Sequence, residues 1–287
     1  MTHSKYLVVK TGGSVFADPS KRRALFRNIL KLTGKYSVLL VHGGKKQIDS
    51  ALMRAGVKSR FVGGQRYTNR DAVNIVAGAL DGVRKSIVAE LNMLGRKADV
   101  MAIGVSGAEK VSGRHLITAK RIFSLGYVGE IKSVRASLLS TLFSGGEFGA
   151  RVGDKVVGRG GGKHGRVVVL SPVCADINAK GKASPVDGRE HHILNVNADA
   201  VASAVAASLG ARALVFISDV PGVLDNKGNL ISKIKCSEID NMKKKRIVGG
   251  GMIPKLDGCR TAIKKGVKEV HITNQVDFLR KGTRLTK

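Results

Sequence analysis

The chain contains no tryptophan, and aromatic residues make up only 4% of it. Stacking platforms for unpaired bases are therefore scarce, which argues against a dedicated RNA-binding module. Only three cysteines occur in 287 residues, Cys174, Cys236 and Cys259, odd in number and far apart with no CxxC pair. No disulfide framework can be read from them, and a reducing, cytoplasmic compartment is expected. Long apolar runs are also missing: the Ala/Val-rich region from Ile193 to Ile217 is interrupted by Asn195, Asn197, Asp199 and Arg212. A membrane span is not expected. Met1 to Lys10 turns into a Val-rich strand without a cleavable apolar core, so no signal peptide is read. Acidic residues are the last shortage, with 21 Asp and Glu against 50 Lys and Arg, a formal charge of +29. Such a field attracts anionic substrates, acidic proteins or polyanions and says nothing about the fold.

What remains is ordinary globular usage, 43% hydrophobic and 25% charged, in a chain long enough to bury a sizeable core. Short β-branched runs recur at Tyr6–Lys10, Ser37–His42, Val100–Val105, Val167–Leu170, Ala213–Ser218 and Glu269–Thr273. Being apolar on both faces and separated by helix-length segments, they predict an α/β fold, a three-layer αβα sandwich around a mainly parallel sheet. Helices are predicted at Ser20–Leu32, Lys46–Ala55, Asp71–Leu94, Val134–Phe143, Ala198–Leu209 and Cys259–Lys265. Two stretches break the pattern. The Gly-rich basic segment 147–166 predicts an exposed loop, and 179–192 a turn-rich excursion or hairpin. Residues 1–194 read as an N-terminal lobe and 195–287 as a C-terminal one.

Glycine turns after strands are the recurrent chemical theme. Lys10-Thr11-Gly12-Gly13 and His42-Gly43-Gly44 close two successive strands. A single Gly-Gly pair is compatible with a plain turn. Two at the carboxyl edge of one parallel sheet, one led by a lysine, favour anion binding, because bare backbone N–H groups can converge there. Asn195 to Asp199 opens the Ala-rich helix with an N-cap and a first-turn acid. Gly249 to Lys255 places a cation just inside a later helix, and Ser218 to Leu224 bends sharply after a strand. Together they outline a Gly-lined crevice with Lys10 and Lys255 as cations and Asp199 as a lone acid. This set suits phosphoryl transfer onto a carboxylate, which is already ionised and needs no general base.

Other motifs are weaker. Gly162-Lys163 lacks the Ser or Thr and the glycine spacing of a P-loop, having His164 next instead. His191-His192 reads as a solvated pair, since no third metal ligand lies nearby in sequence. The Gly-rich strip leaves open a charge-driven, non-specific grip on RNA, that of a basic RNA-binding protein, although no specific nucleic-acid partner is expected.

The ordered motifs KTGGS, VHGGKKQID, FVGGQRYT, LGYVGEI, NVNADAVA, SDVPGVLD, GGGMIPK and GTRL resemble the amino acid kinase family from about Tyr6 to Thr286. The resemblance implies ATP-dependent phosphorylation of the side-chain carboxylate of N-acetyl-L-glutamate in arginine biosynthesis. On that basis Lys10 and Lys255 would be catalytic, stabilising the transferring phosphoryl group, and Asp199 would organise them. Gly43, Gly44, Arg66 and Asn195 would hold the small amino-acid derivative, Arg66 with its planar fork. Gly12 and Gly13, the turn Asp219, Val220, Pro221, Gly222, Val223 and Leu224, and the turn Ile247, Val248 and Gly249 would bind ATP. Mg2+ would arrive with ATP, held mainly by its phosphates. The N-terminal lobe would take the acceptor and the C-terminal lobe the nucleotide. A related kinase of lysine biosynthesis, acting on carrier-protein-bound aminoadipate or glutamate, is the open alternative. Lys45 stands where relatives usually carry a third glycine. Only Met1 to Lys5 precede the first strand, fewer than the roughly 12 to 15 residues that an isolated helix needs. A homodimer built through the N-terminal lobe and insensitive to arginine is expected. The apolar stripe Val73, Val76, Leu80, Val83, Ile87 and Leu91 either forms its contact or packs on the sheet.

Overall fold

Strands that are apolar on both sides must be covered on both sides, and the computed structural model buries them in one central sheet. It describes residues 4–12, 15–16, 18–96, 100–111, 113–144, 151–152, 155–156, 165–178, 193–249 and 252–287. In chain order the main elements begin with β1 (Tyr6–Thr11), α1 (Pro19–Leu32), β2 (Ser37–His42), α2 (Lys45–Arg54), β3 (Arg60–Val62), β4 (Gln65–Tyr67), α3 (Arg70–Gly95) and β5 (Val100–Ser106). Next come β6 (Ile117–Arg121), β7 (Gly129–Val134), α4 (Ala136–Ser144), β8 (Gly165–Ser171), β9 (Val173–Asp176), β10 (Ile193–Asn195) and α5 (Ala198–Ser208). The chain continues through β11 (Ala213–Ile217), β12 (Lys233–Lys235), α6 (Ile239–Lys244), α7 (Met252–Lys264), β13 (Glu269–Thr273) and β14 (Thr283–Thr286).

The eight-stranded sheet runs β12-β14-β13-β11-β1-β2-β8-β5. Its six strands from β13 to β5 are mutually parallel and coincide with the six runs read from the sequence. Only the β13–β14 pairing is antiparallel. Alternate residues feed two cores. Val8, Leu39, Val41, Val168, Leu214 and Phe216 pack with α4, α5 and α7, whereas Leu7, Val9, Leu40 and Val215 pack with α1 and α3. The result is a three-layer αβα arrangement. A second sheet, β10-β9-β6-β7, starts where Pro172 ends β8 and so stands at the carboxyl edge of the first.

Local signals account for the helix starts. Asp18 caps α1 by accepting from Ser20 N and Lys21 N, with Pro19 at its first position, and Asn69 caps α3 by accepting from Ala72 N. The stripe from Val73 to Leu91 on α3 is wholly buried within the chain, part of it on the sheet and part against α2. It therefore packs inward.

Several boundaries differ from the sequence reading. Val134 ends β7 and does not start a helix, and the helix read as Cys259–Lys265 is the second half of α7. Pro254 masked the first half, but in the first turn its missing N–H has no intrahelical partner to lose. Within 147–166, Arg151–Val152 and Lys155–Val156 pair antiparallel and Gly165 begins β8. The remainder, with Gly162, Lys163 and His164, and the excursion 179–192 with His191 and His192, lie outside the described residues. No described helix is long and apolar enough to cross a membrane. Cys174, Cys236 and Cys259 are free thiols.

Ile87→Ala should lower the unfolding free energy by about 3 kcal/mol in urea titrations, because a fully packed aliphatic side chain leaves a cavity. Met93→Ala, on the exposed side of the same helix, should change it by no more than about 0.5 kcal/mol.

Candidate active site

The carboxyl ends of β1 and β2 bring their glycine turns into contact. Gly43 N donates to Thr11 O at 2.9 Å, and a Cβ built on Gly43 would lie 3.9 Å from Gly12 Cα. Lys10 folds back over its own turn: a Cβ on Gly12 would stand 3.5 Å from Lys10 Nζ. That amine is 2.8 Å from Asp199 Oδ1, the pair being partly open to solvent. Asp199 is delivered by the first turn of α5, where the Asn197 side chain accepts from Asp199 N at 2.7 Å and Ala200 N at 3.3 Å. An acid at that position also meets the positive end of the helix.

Lys255 lies in the first turn of α7. Its Nζ donates to Ser218 Oγ at 3.4 Å and sits 5.8 Å from the centroid of the Phe216 ring. Phe216 is the registered neighbour of Lys10 across β11 and β1. Beneath them the Cys259 thiol is fully buried; burial pushes its pKa far up, the Lys255 charge pulls it down and the Asp199 charge adds to the rise. Both charges are thus felt at one point. Asp199 thus pairs with Lys10, whereas the hydrogen-bond partner of Lys255 is Ser218.

A cavity of about 300 Å³ opens beside this pair and is lined by Gly43, Gly44, Arg66 and Asn195 as well as Lys10 and Asp199. Arg66 is carried by the β3–β4 hairpin and is 7% exposed. Its Nη2 is 2.7 Å from Asp49 Oδ1, its Nη1 donates to Ser59 Oγ, and its guanidinium lies 4.7 Å from the Phe61 ring centroid. Asn195 donates through Nδ2 to Thr68 Oγ1 at 3.3 Å and through its backbone N to Tyr127 O at 2.9 Å. Lys45, the residue in the third glycine's place, is the first residue of α2 and has no positive φ, so its backbone N–H can still face a ligand.

His42 supports this floor, a part the sequence reading did not give it. Its side chain is fully buried, with Nδ1 3.0 Å from Gly43 O, and burial lowers its pKa from 6.5 to about 4. It is therefore neutral near pH 7, free to donate to the Gly43 carbonyl and so to fix that peptide. The signal was a titratable residue ending an otherwise apolar buried strand.

The predicted nucleotide residues lie outside that cavity. Asp219 is exposed and borders a separate recess of about 220 Å³. The turn behind it is stapled by Thr283: Val223 N donates to Thr283 Oγ1 at 2.8 Å, which in turn donates to Ile231 O at 2.7 Å. A Cβ on Gly222 would fall 2.5 Å from that hydroxyl, so only glycine fits. Val220, Pro221 and Leu224 are half-buried, while Val223 is wholly in the core. Ile247 N donates to Met242 O at 2.9 Å and Met252 N to Gly249 O at 3.2 Å, placing Ile247, Val248 and Gly249 in the link from α6 to α7, with Val248 buried. Gly13 lies outside the described residues. Among the described residues no group of three or more His, Cys, Asp or Glu could hold a metal ion.

This is the architecture of a kinase family for small acceptors. Residues 5–274 match the amino acid kinase family, and the chain belongs to it. The acetylglutamate kinase of Endomicrobium trichonymphae is 31% identical over 279 residues, 97% of this chain and 96% of that protein. The acetylglutamate kinase of Campylobacter fetus subsp. fetus is 36% identical over 270 residues, 92% of this chain and 82% of its own length. In fold, the carbamate kinase of Giardia lamblia bound to AMP-PNP is similar with a TM-score of 0.66 at 16% identity, each chain covered in full.

Since folding lowers the His42 pKa, its stabilising contribution is complete above about 6.5 and is lost as pH falls toward 4. The unfolding free energy of the wild type should drop relative to that of His42→Asn by about 3 kcal/mol between pH 7 and pH 4. His271, also lowered chiefly by burial, acts in the same direction in both proteins and cancels in the difference. Parallel pH slopes in urea titrations would show that His42 does not titrate in this way.

Proposed function

We propose that the chain transfers the terminal phosphoryl group of ATP to the side-chain carboxylate of N-acetyl-L-glutamate, forming an acyl phosphate in arginine biosynthesis. The observation that carries this reading is a single small cavity holding both the Lys10–Asp199 pair and the buried Arg66 guanidinium. One supplies a cation for a transferring phosphoryl group, the other a planar fork for a carboxylate. The names of the full-length relatives support the free acetylated acid over the carrier-bound one.

In this mechanism the ionised acceptor attacks without a base. Lys10, fixed by Asp199, and Lys255, fixed by Ser218, neutralise charge as the bond moves. Gly12 presents its backbone N–H group, while Gly43, Gly44, Arg66 and Asn195 hold the acceptor. Gly13, Asp219 to Leu224 and Ile247 to Gly249 line the nucleotide, so that residues 1–194 serve the acceptor and 195–287 ATP. Two lysines and a single acid suit a magnesium ion held mainly by phosphates, which it would help to neutralise. A cytoplasmic location fits the three free thiols.

The test is a hydroxamate trap for acyl phosphate with ATP-magnesium and acetylglutamate. Lys255→Ala should lower kcat by roughly a hundredfold or more, the scale of losing one preorganised charge donor. A raised KM at unchanged kcat would assign Lys255 to ground-state binding instead.

The chain is further proposed to form a homodimer through the outer side of α3. There Gly78, Gly82 and Ser86 floor a groove of about 660 Å³ walled by α1 and α2, low enough for a second copy of α3 to approach. A Cβ on Gly82 meets nothing within 4 Å in the monomer. Light scattering should give a dimer for the wild type and a monomer for Gly82→Arg. A wild-type monomer, or a dimer indifferent to the change, would refute the contact.

A further inference from the structure

The charges around the acceptor cavity do not cancel. Lys10 is paired with Asp199, and Arg66 with Asp49 and Ser59. Lys45 also lines the cavity, and no described carboxylate lies within ion-pair distance of its amine. Its Nζ instead rests 5.2 Å from the centroid of the Phe61 ring, whose centroid also lies 4.7 Å from the Arg66 guanidinium. A ring face holds an amine in place without neutralising it.

The start of α2 sharpens the imbalance. Lys45 and Lys46 occupy the first two positions of the helix, where its dipole is positive, the first turn contains no acid and Gly44 offers no side-chain cap. Left alone, this arrangement is electrostatically unfavourable. An anion in the cavity relieves it.

We infer that Lys45 is a specificity-determining residue of the acceptor cavity, its ammonium recognising the second carboxylate of a dicarboxylate acceptor. This rests on the function proposed above. There the acceptor brings two carboxylates: the one to be phosphorylated belongs beside Lys10 and the Gly43–Gly44 turn, and the other needs a cation. Arg66 supplies the planar fork but is partly neutralised by Asp49, so Lys45 adds the charge that the fork lacks. The amine is exposed at the cavity rim, which makes its contribution one of affinity and selection, sensitive to salt, and leaves the chemical step alone.

The experiment compares wild type, Lys45→Gln and Lys45→Arg in the hydroxamate assay, with N-acetyl-L-glutamate and with its α-carboxamide analogue, which keeps the side-chain carboxylate but lacks the second one. Lys45→Gln should raise KM for N-acetyl-L-glutamate by about threefold to tenfold at low salt with kcat within about twofold, a difference that shrinks as salt rises. Lys45→Arg should restore most of the affinity. With the α-carboxamide the wild type and Lys45→Gln should have similar KM values. Equal KM values with the dicarboxylate, or the same loss for both substrates, would overturn the inference while leaving the proposed activity intact. A wild type that makes no acyl phosphate from N-acetyl-L-glutamate would overturn both.

Discussion

The parallel registration of β1 between β2 and β11 is the constraint on which the site depends. Side chains alternate along a strand, so Lys10, opposite Val41 and Phe216, faces α5 and α7, and Thr11 faces the α1 and α3 layer. A slip of one residue would turn Lys10 away from Asp199 and send it into an apolar layer. The same registration aligns Thr11 with His42, which is why the two glycine turns that follow lie against each other.

The six parallel strands were legible because burial on both faces leaves an apolar run that length and flanking turns identify as strand. Lys10, Gly43, Arg66, Asn195 and Asp199 could be named in advance and do share one cavity. The second sheet was not legible. β6 and β9 are short and mixed in polarity, ITAKR and VCAD, and only pairing with distant neighbours makes them strands. The staple at Thr283 was equally hidden, since nothing local to GTRL says that its hydroxyl serves a turn after β11. Gly282, at φ 107 with a Cβ position 2.4 Å from Ile272 O, needs the same tertiary view to explain it.

Scarcity of acids leaves a consistent mark on the structure. Several carboxylates are shared by two cations: Glu90 lies near Arg22 and Arg23, Asp81 near Arg84 and Lys85, and Asp257 near Lys243 and Arg260. Glu269, nearly buried, lies 3.0 Å from Arg212 and 2.6 Å from Arg284. Exposed pairs of this kind add little stability individually, but spacing them among so many like charges reduces repulsion. Within the candidate site Asp199 and Asp49 each meet one cation, Lys10 and Arg66.

The Thr283 staple also bears on how the molecule is assembled in time. Val223 and Thr283 are 60 residues apart in sequence, yet one hydroxyl joins them. Closing so long a loop costs chain entropy before any contact rewards it. The bend after β11 therefore takes its final shape after its own strand has paired, once β14 has docked antiparallel on β13. The turn after β11 thus closes only with the last strand of the chain in place, which ties the β11 side of the site to the edge of the sheet.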